Sequence, residues 1–334
     1  MQATRRKALL VGINDYRDAA LAGCVEDARA MATRVGHNGD GTPNYFTSTL
    51  TSDDETHNFI GRADLRQALA ELFENAEDHE LLFYFAGHGA QTPWGAELVT
   101  QDYVAPYTYG VSLSDIATLA NDSQAREVVV VLDCCFSGDI ARQSGRPPHE
   151  ASQQALLKQE VTLMAASRPM EPAWGSADHG HFTDVLLSGL DGAAADLLGN
   201  VTALGLHAFA VTAFAHAWDQ QPVFKSHHAF TPVLRHTNPP IERNALLSIR
   251  TLFQEAESSY SLSPAHIGKR PIPSDDIATP EQVAFDQLSQ LRSVGLLTID
   301  APTEDLGSAA NLAADIRLSP LGRHYWKLAS RDLI

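Results

Sequence analysis

Two apolar, β-rich runs constrain this chain more than anything else in it, and each ends on a reactive side chain. Glu80-Leu81-Leu82-Phe83-Tyr84-Phe85-Ala86-Gly87-His88-Gly89 leads into a histidine. Val128-Val129-Val130-Val131-Leu132-Asp133-Cys134-Cys135-Phe136-Ser137-Gly138 leads into a cysteine pair, with Cys135 standing 47 positions after His88. Both runs are too uniformly apolar for strands with one wet face, so they read as neighbours in a buried parallel sheet. In such sheets chemistry gathers outside the carboxyl ends of the strands. An imidazole and a thiol are therefore expected on one edge, and together they are the minimal set for a cysteine nucleophile.

The rest of the first two-thirds fits that sheet. Lys7 to Ile13 reads as the first buried strand, Tyr45 to Thr51 as a second, and Val161 to Ser167 as another. Helical spacing covers Gly23 to Val35, Arg62 to Asn75, a stretch capped by Ser112 or Ser114, Thr183 to Leu190 and Leu204 to Trp218. Residues 90–110 read as a loop or short hairpin, and residues 139–159 as a flexible loop. Alternating strand and helix predict an α/β domain over 1–238, its mostly parallel sheet flanked by helices on both faces.

Asn238-Pro239-Pro240 marks a linker. Beyond it, the pattern predicts a helix over Ile241 to Ser258, an irregular segment, and a helix over Glu281 to Val294. Paired strands at Leu296 to Ile299 and Ile316 to Leu318, joined by a long turn, and a last helix over Leu321 to Ala329 follow. This order resembles a winged helix, so 239–334 reads as a small α+β regulatory or partner-binding domain.

Bulk properties narrow the setting. The formal charge of the 334 residues is −17. Phosphate contacts need concentrated Lys and Arg, so nucleic acid is not an expected partner. Three cysteines, Cys24, Cys134 and Cys135, form a reducing-compartment pattern. No stretch approaches the roughly eighteen apolar residues of a membrane span. A cytoplasmic protein is expected.

The runs above resemble motifs of the caspase–metacaspase superfamily of cysteine proteases (clan CD, peptidase C14-like), in particular its bacterial metacaspase-like members. Tyr84-Phe85-Ala86-Gly87-His88-Gly89 and Leu132-Asp133-Cys134-Cys135-Phe136-Ser137-Gly138 carry most of the likeness. Leu10-Val11-Gly12-Ile13-Asn14, Leu21-Ala22-Gly23-Cys24-Val25-Glu26-Asp27-Ala28 and His181-Phe182-Thr183 support it. The His-to-Cys spacing agrees with the roughly 50 residues usual for caspases. The resemblance implies a caspase-like fold over about residues 5–236, with His88 and Cys135 as the catalytic pair. It further implies an oxyanion hole from the N–H groups of Gly89 and Cys135. Strand alternation lets only one of Cys134 and Cys135 face the histidine. The family motif places the nucleophile at Cys135, and Cys134 then reads as a small buried hydrophobe.

The same resemblance assigns Asp133, with Asp27 and Cys24 of the Gly-Cys-x-x-Asp pattern, to the pocket for the residue before the cut. Two confined carboxylates select Arg or Lys and reject Asp. Ala86 replaces a serine often found in that pocket, which leaves the choice between Lys and Arg open. Many metacaspases need calcium held by acidic residues; calcium dependence is left open, since that cluster does not map onto this chain beyond Asp102 and Glu97 as loose candidates, and no metal or other cofactor is assigned. Residues 139–159 fall where relatives carry an activation linker, and Arg142, Arg146 and Lys158 are its cleavage candidates, for the enzyme itself or an upstream protease. The resemblance also implies regulated proteolysis of protein targets in bacterial stress or antiphage responses. The competing reading is a catalytically silent scaffold that binds partners through its C-terminal domain. That domain's expected recognition helix carries only Arg292 as a positive charge, which suits protein docking or autoinhibition better than DNA.

Overall fold

The computed structural model describes residues 5–17, 19–53, 58–92, 95–104, 109–135, 160–166, 180–215, 222–227, 231–268 and 277–334. They fall into two compact units, Met1–Asn238 and Pro239–Ile334.

The first unit is built on a sheet in which the order β2-β1-β3-β6-β7-β9 is set by crossovers. β1 (Arg5–Ile13) lies between β2 (Phe46–Ser52) and β3 (His79–Thr92), both parallel to it. β3 pairs in parallel with β6 (Glu127–Cys135), and β6 with β7 (Val161–Ala165). The edge strand β9 (Val223–His227) runs antiparallel to β7. The carboxyl end of β3 continues into an antiparallel hairpin with β4 (Gly95–Leu98), which pairs with β5 (Val111–Ser112). The sheet is thus mostly parallel, with antiparallel additions at one edge and at the carboxyl end of β3. A separate two-stranded ribbon joins β8 (Asn200–Thr202) to β10 (Val233–His236).

The central runs are apolar throughout because both faces are covered. Ala8, Leu10, Leu82, Tyr84, Val129 and Val131 pack beneath α1 (Cys24–Gly36), α4 (His181–Ser188) and α5 (Ala203–Ala215). Their alternates Leu9, Val11, Leu81, Phe83, Val130 and Leu132 pack beneath α2 (Arg62–Phe73) and α3 (Leu113–Asp122). α3 begins where its cap dictates, with the Ser112 hydroxyl accepting from the Asp115 N–H at 3.0 Å.

In the second unit, β11 (Ser259–Ser261) and β12 (Leu297–Asp300) flank β13 (Asp315–Leu318), antiparallel throughout. The single helix expected over Ile241 to Ser258 is corrected. Two short helices, α6 (Arg243–Leu247) and α7 (Ile249–Leu252), stand there instead. The chain leaves the helix at the fully buried Phe253, whose carbonyl accepts the Trp326 indole N–H at 2.8 Å. Tertiary anchoring overrides local propensity at that residue. α8 (Pro280–Ser293) starts on a Thr279 capping box, and α10 (Pro320–Ser330) on Ser319. The turn expected between β12 and β13 contains a further helix, α9 (Leu306–Asn311), capped by Asp305.

Candidate active site

The β3–β6 register decides where the reactive residues meet. Cα partners run Tyr84↔Val131, Ala86↔Asp133 and His88↔Cys135. The histidine and the second cysteine therefore stand side by side at the carboxyl edge, at the last paired position of two buried strands. Cys134 is 1% exposed and packs in the α2/α3 layer with Leu132.

His88 is oriented from the loop that follows β1. Its Nε2 lies 2.7 Å from the carbonyl oxygen of Ala19. A carbonyl only accepts, so Nε2 carries the proton and Nδ1 is left as the acceptor. The Tyr16 ring lies against the imidazole, with centroids 4.7 Å apart and planes at 59°. The Tyr16 hydroxyl accepts the His88 N–H at 3.1 Å and donates to the Val99 carbonyl at 3.2 Å. Burial holds the Tyr16 phenol well above its ordinary pKa, so the hydroxyl keeps its proton.

α1 reaches this edge because β1 carries a glycine where the two elements touch. A Cβ on Gly12 would lie 2.3 Å from the carbonyl oxygen of Cys24, so only glycine permits the approach. Asp27, in the first turn of α1 and 2% exposed, accepts the N–H of Gly180, the residue that caps α4, at 3.2 Å. Asp133, 4% exposed, accepts the Thr183 hydroxyl at 2.7 Å. The Tyr84 and Thr183 hydroxyls are 2.6 Å apart, and since Thr183 gives its proton to Asp133, Tyr84 donates to Thr183. Burial first, then the charges of Asp133 and Asp27 and the nearby Cys24, push the Tyr84 phenol well up. The structure thus gathers Asp27, Asp133 and Cys24 around one buried phenol.

Gly89 sits one residue past His88 in the β3–β4 hairpin, opposite Leu98. The Val99 N–H donates to the His88 carbonyl at 2.9 Å, which makes 88–99 a hydrogen-bonded position. By antiparallel alternation 89–98 is not one, so the Gly89 amide does not serve the β4 ladder. Glu97 and Asp102 bind backbone amides, those of Gly110 and Arg62, each at 2.9 Å. Among the described residues no group of three or more His, Cys, Asp or Glu side chains fits a metal ion. No described helix is long and apolar enough to cross a membrane. Arg142, Arg146 and Lys158 lie outside the described residues.

Sequence reasoning did not find Tyr16, Ala19 or Gly180. Tyr84 and Thr183 stand in quoted motifs, but nothing in those motifs says that they bond to each other or serve Asp133. Tyr16 sits in a polar loop with no periodicity, and its role is visible only once β4 lies alongside β3.

A family model described as Caspase domain matches residues 5–234. The chain belongs to the caspase-domain family. Within it, the chain is similar to metacaspase-1A of Aspergillus oryzae, 28% identical over 167 residues, covering 46% of this chain and 38% of that protein. Metacaspase-1A of Aspergillus fumigatus is 27% identical over 168 residues, covering 46% and 39%. This caspase-domain chain therefore matches about two-fifths of the length of those relatives. Caspase-1 from Spodoptera frugiperda superposes with a TM-score of 0.49 at 13% identity, over 70% of this chain and 91% of that one.

Proposed function

We propose that this protein is a cysteine endopeptidase that cuts polypeptides after Arg or Lys, with Cys135 as nucleophile and His88 as its acid–base partner. The observation that carries the reading is the direct pairing of His88 with Cys135 at the carboxyl edge of the sheet. Nδ1 of His88 takes the thiol proton, and the thiolate sulfur attacks the peptide carbonyl carbon. The oxyanion is held by the amides of Gly89 and Cys135. The C–N bond then breaks as the imidazolium protonates the leaving amine, and water hydrolyses the thioester. Ala19 supports this cycle, because its carbonyl fixes the tautomer and stabilises the imidazolium that forms.

Asp27 and Asp133 give the pocket its preference for a basic side chain. The Gly180 amide and the Thr183 hydroxyl orient the two carboxylates. An Asp side chain in the same pocket meets like charge. We further propose that cleavage at Arg142, Arg146 or Lys158 within 139–159 activates the enzyme, by itself or through an upstream protease. The unit Pro239–Ile334 is assigned a regulatory or partner-docking role.

The test uses fluorogenic Arg, Lys and Asp peptides, with and without calcium, on wild type and Cys135→Ala. Turnover of Arg or Lys peptides by wild type alone is expected, with cuts inside 139–159 on a gel. Turnover of Asp peptides alone would overturn the pocket assignment. No turnover of any peptide after linker cleavage would favour the scaffold.

A further inference from the structure

The junction between β3 and its hairpin contains a hydrogen bond that the backbone does not make with itself. At the 88–99 position an antiparallel pair ordinarily exchanges two N–H···O bonds. Only one is present, from the Val99 N–H to the His88 carbonyl at 2.9 Å. The other is replaced by a side chain. The His88 N–H donates to the Tyr16 hydroxyl at 3.1 Å, and that hydroxyl donates to the Val99 carbonyl at 3.2 Å. Tyr16 is 6% exposed, so both backbone groups are satisfied in a dry setting where loss of a partner is costly.

The sequence is cut to admit this hydroxyl. A Cβ on Gly87 would lie 2.5 Å from the Tyr16 oxygen and 2.9 Å from the Phe85 ring. The glycine before His88 therefore opens the space that the phenol fills. The loop that delivers Tyr16 is itself tied down. The Tyr16 and Leu21 amides donate to the Asn14 carbonyl at 3.1 and 2.9 Å, and the Val25 amide donates to Asn14 Oδ1 at 3.2 Å. The Gln101 side-chain amide donates to the Asp15 carbonyl at 2.5 Å.

We infer that Tyr16 is a positioning residue for His88, fixing the backbone from which the imidazole projects and bracing the ring against its own. The inference rests on the peptidase reading above. The same loop sets His88 twice, through Ala19 at Nε2 and through Tyr16 at the backbone N–H. Displacing a catalytic group by a fraction of an ångström costs rate more than substrate affinity. The Tyr16 hydroxyl bonds to the His88 N–H and the Val99 carbonyl rather than to Asp27 or Asp133, so its deletion leaves those two carboxylates in place.

The test compares wild type, Tyr16→Phe and Gly87→Ala by two readouts. The first is the pH profile of Cys135 alkylation by iodoacetamide, followed by mass spectrometry, which needs no turnover. The second is kcat and KM on an Arg peptide. Tyr16→Phe keeps the ring and deletes the bridge. We expect kcat to fall about tenfold with KM within about twofold of wild type. The low-pH limb of the alkylation profile is expected to shift towards that of an ordinary thiol. Gly87→Ala is expected to reproduce both changes, and to cost less in a Tyr16→Phe background, where the closest clash is gone. Unchanged profiles and kcat in folded Tyr16→Phe, or additive effects in the double variant, would overturn the inference. If wild-type Cys135 itself alkylates no faster than a free thiol, the peptidase reading fails instead.

Discussion

The two ends of the central sheet both carry carboxylates, and they hold them through different groups. At the amino edge Glu80, 6% exposed, is met by the Arg6 guanidinium at 2.6 Å. Its register partner Glu127 is pushed up to about 7, by burial first and by the Glu80 charge second. Arg6 also donates to Asn44 and to the Val233 carbonyl, and its guanidinium lies over the Tyr45 ring. At the carboxyl edge Asp27 and Asp133 are held by an amide and a hydroxyl. The amino edge pairs one acid with a cation and raises the pKa of the other to about 7. The carboxyl edge orients its acids through an amide and a hydroxyl, and on the proposed reading those acids meet a cationic guest. One edge uses its charge to hold the sheet together, and the other, on the proposed reading, directs it towards a substrate.

That contrast can be broken at several points. The largest effect is expected at the carboxyl edge: Asp133→Asn lowers kcat/KM for an Arg peptide by roughly a hundredfold or more, because a cationic side chain then enters without its counter-charge. Steady-state kinetics on Arg and neutral peptides read this directly. Equal losses on both would mean that Asp133 is structural. At the amino edge, Arg6→Met strands the Glu80 charge and costs about 3 kcal/mol in urea unfolding, while kcat/KM of the folded enzyme stays at the wild-type value.

Thr183→Val lies between the two. It removes the proton given to Asp133 and leaves the Tyr84 hydroxyl without its acceptor. A stability loss of about 1–3 kcal/mol is expected, with kcat/KM down roughly tenfold and both restored by Thr183→Ser. The smallest effect belongs to Glu127. Its carboxyl titrates near 7 in the folded chain against an ordinary 4.5, so the native state holds more protons across that window. Stability therefore falls as pH rises through it. Glu127→Gln removes that loss and raises stability by about 1–2 kcal/mol at pH 8, with no gain at pH 4. Thermal melts across pH would show the difference, and a gain at acid pH would contradict the assignment.

Much of the sheet was legible in the chain because strands buried on both faces must be apolar throughout, and Val128 to Leu132 admit no other reading. The start of α3 was legible down to a choice between Ser112 and Ser114, of which Ser112 makes the cap, and that of α8 to within one residue, while its Thr279 cap was not. The hidden features are tertiary. Phe253 ends a helix where its carbonyl meets Trp326, and the antiparallel pairing of β9 with β7 is set by the fold rather than by its own short run. At the site, residue types could nominate His88, Cys135, Asp27 and Asp133. They could not show that Ala19 and Tyr16 set the histidine, because a backbone carbonyl and a loop phenol acquire roles only from what folds against them.

The central claim is that the His88 imidazole and the Cys135 sulfur act as one unit. The most direct measurement is labelling with an Arg-based acyloxymethyl ketone, followed by peptide mapping of wild type and His88→Ala. A single adduct on Cys135 in wild type, lost in His88→Ala, is the expected result. An adduct on Cys134, or equal labelling of Cys135 without the imidazole, would contradict it.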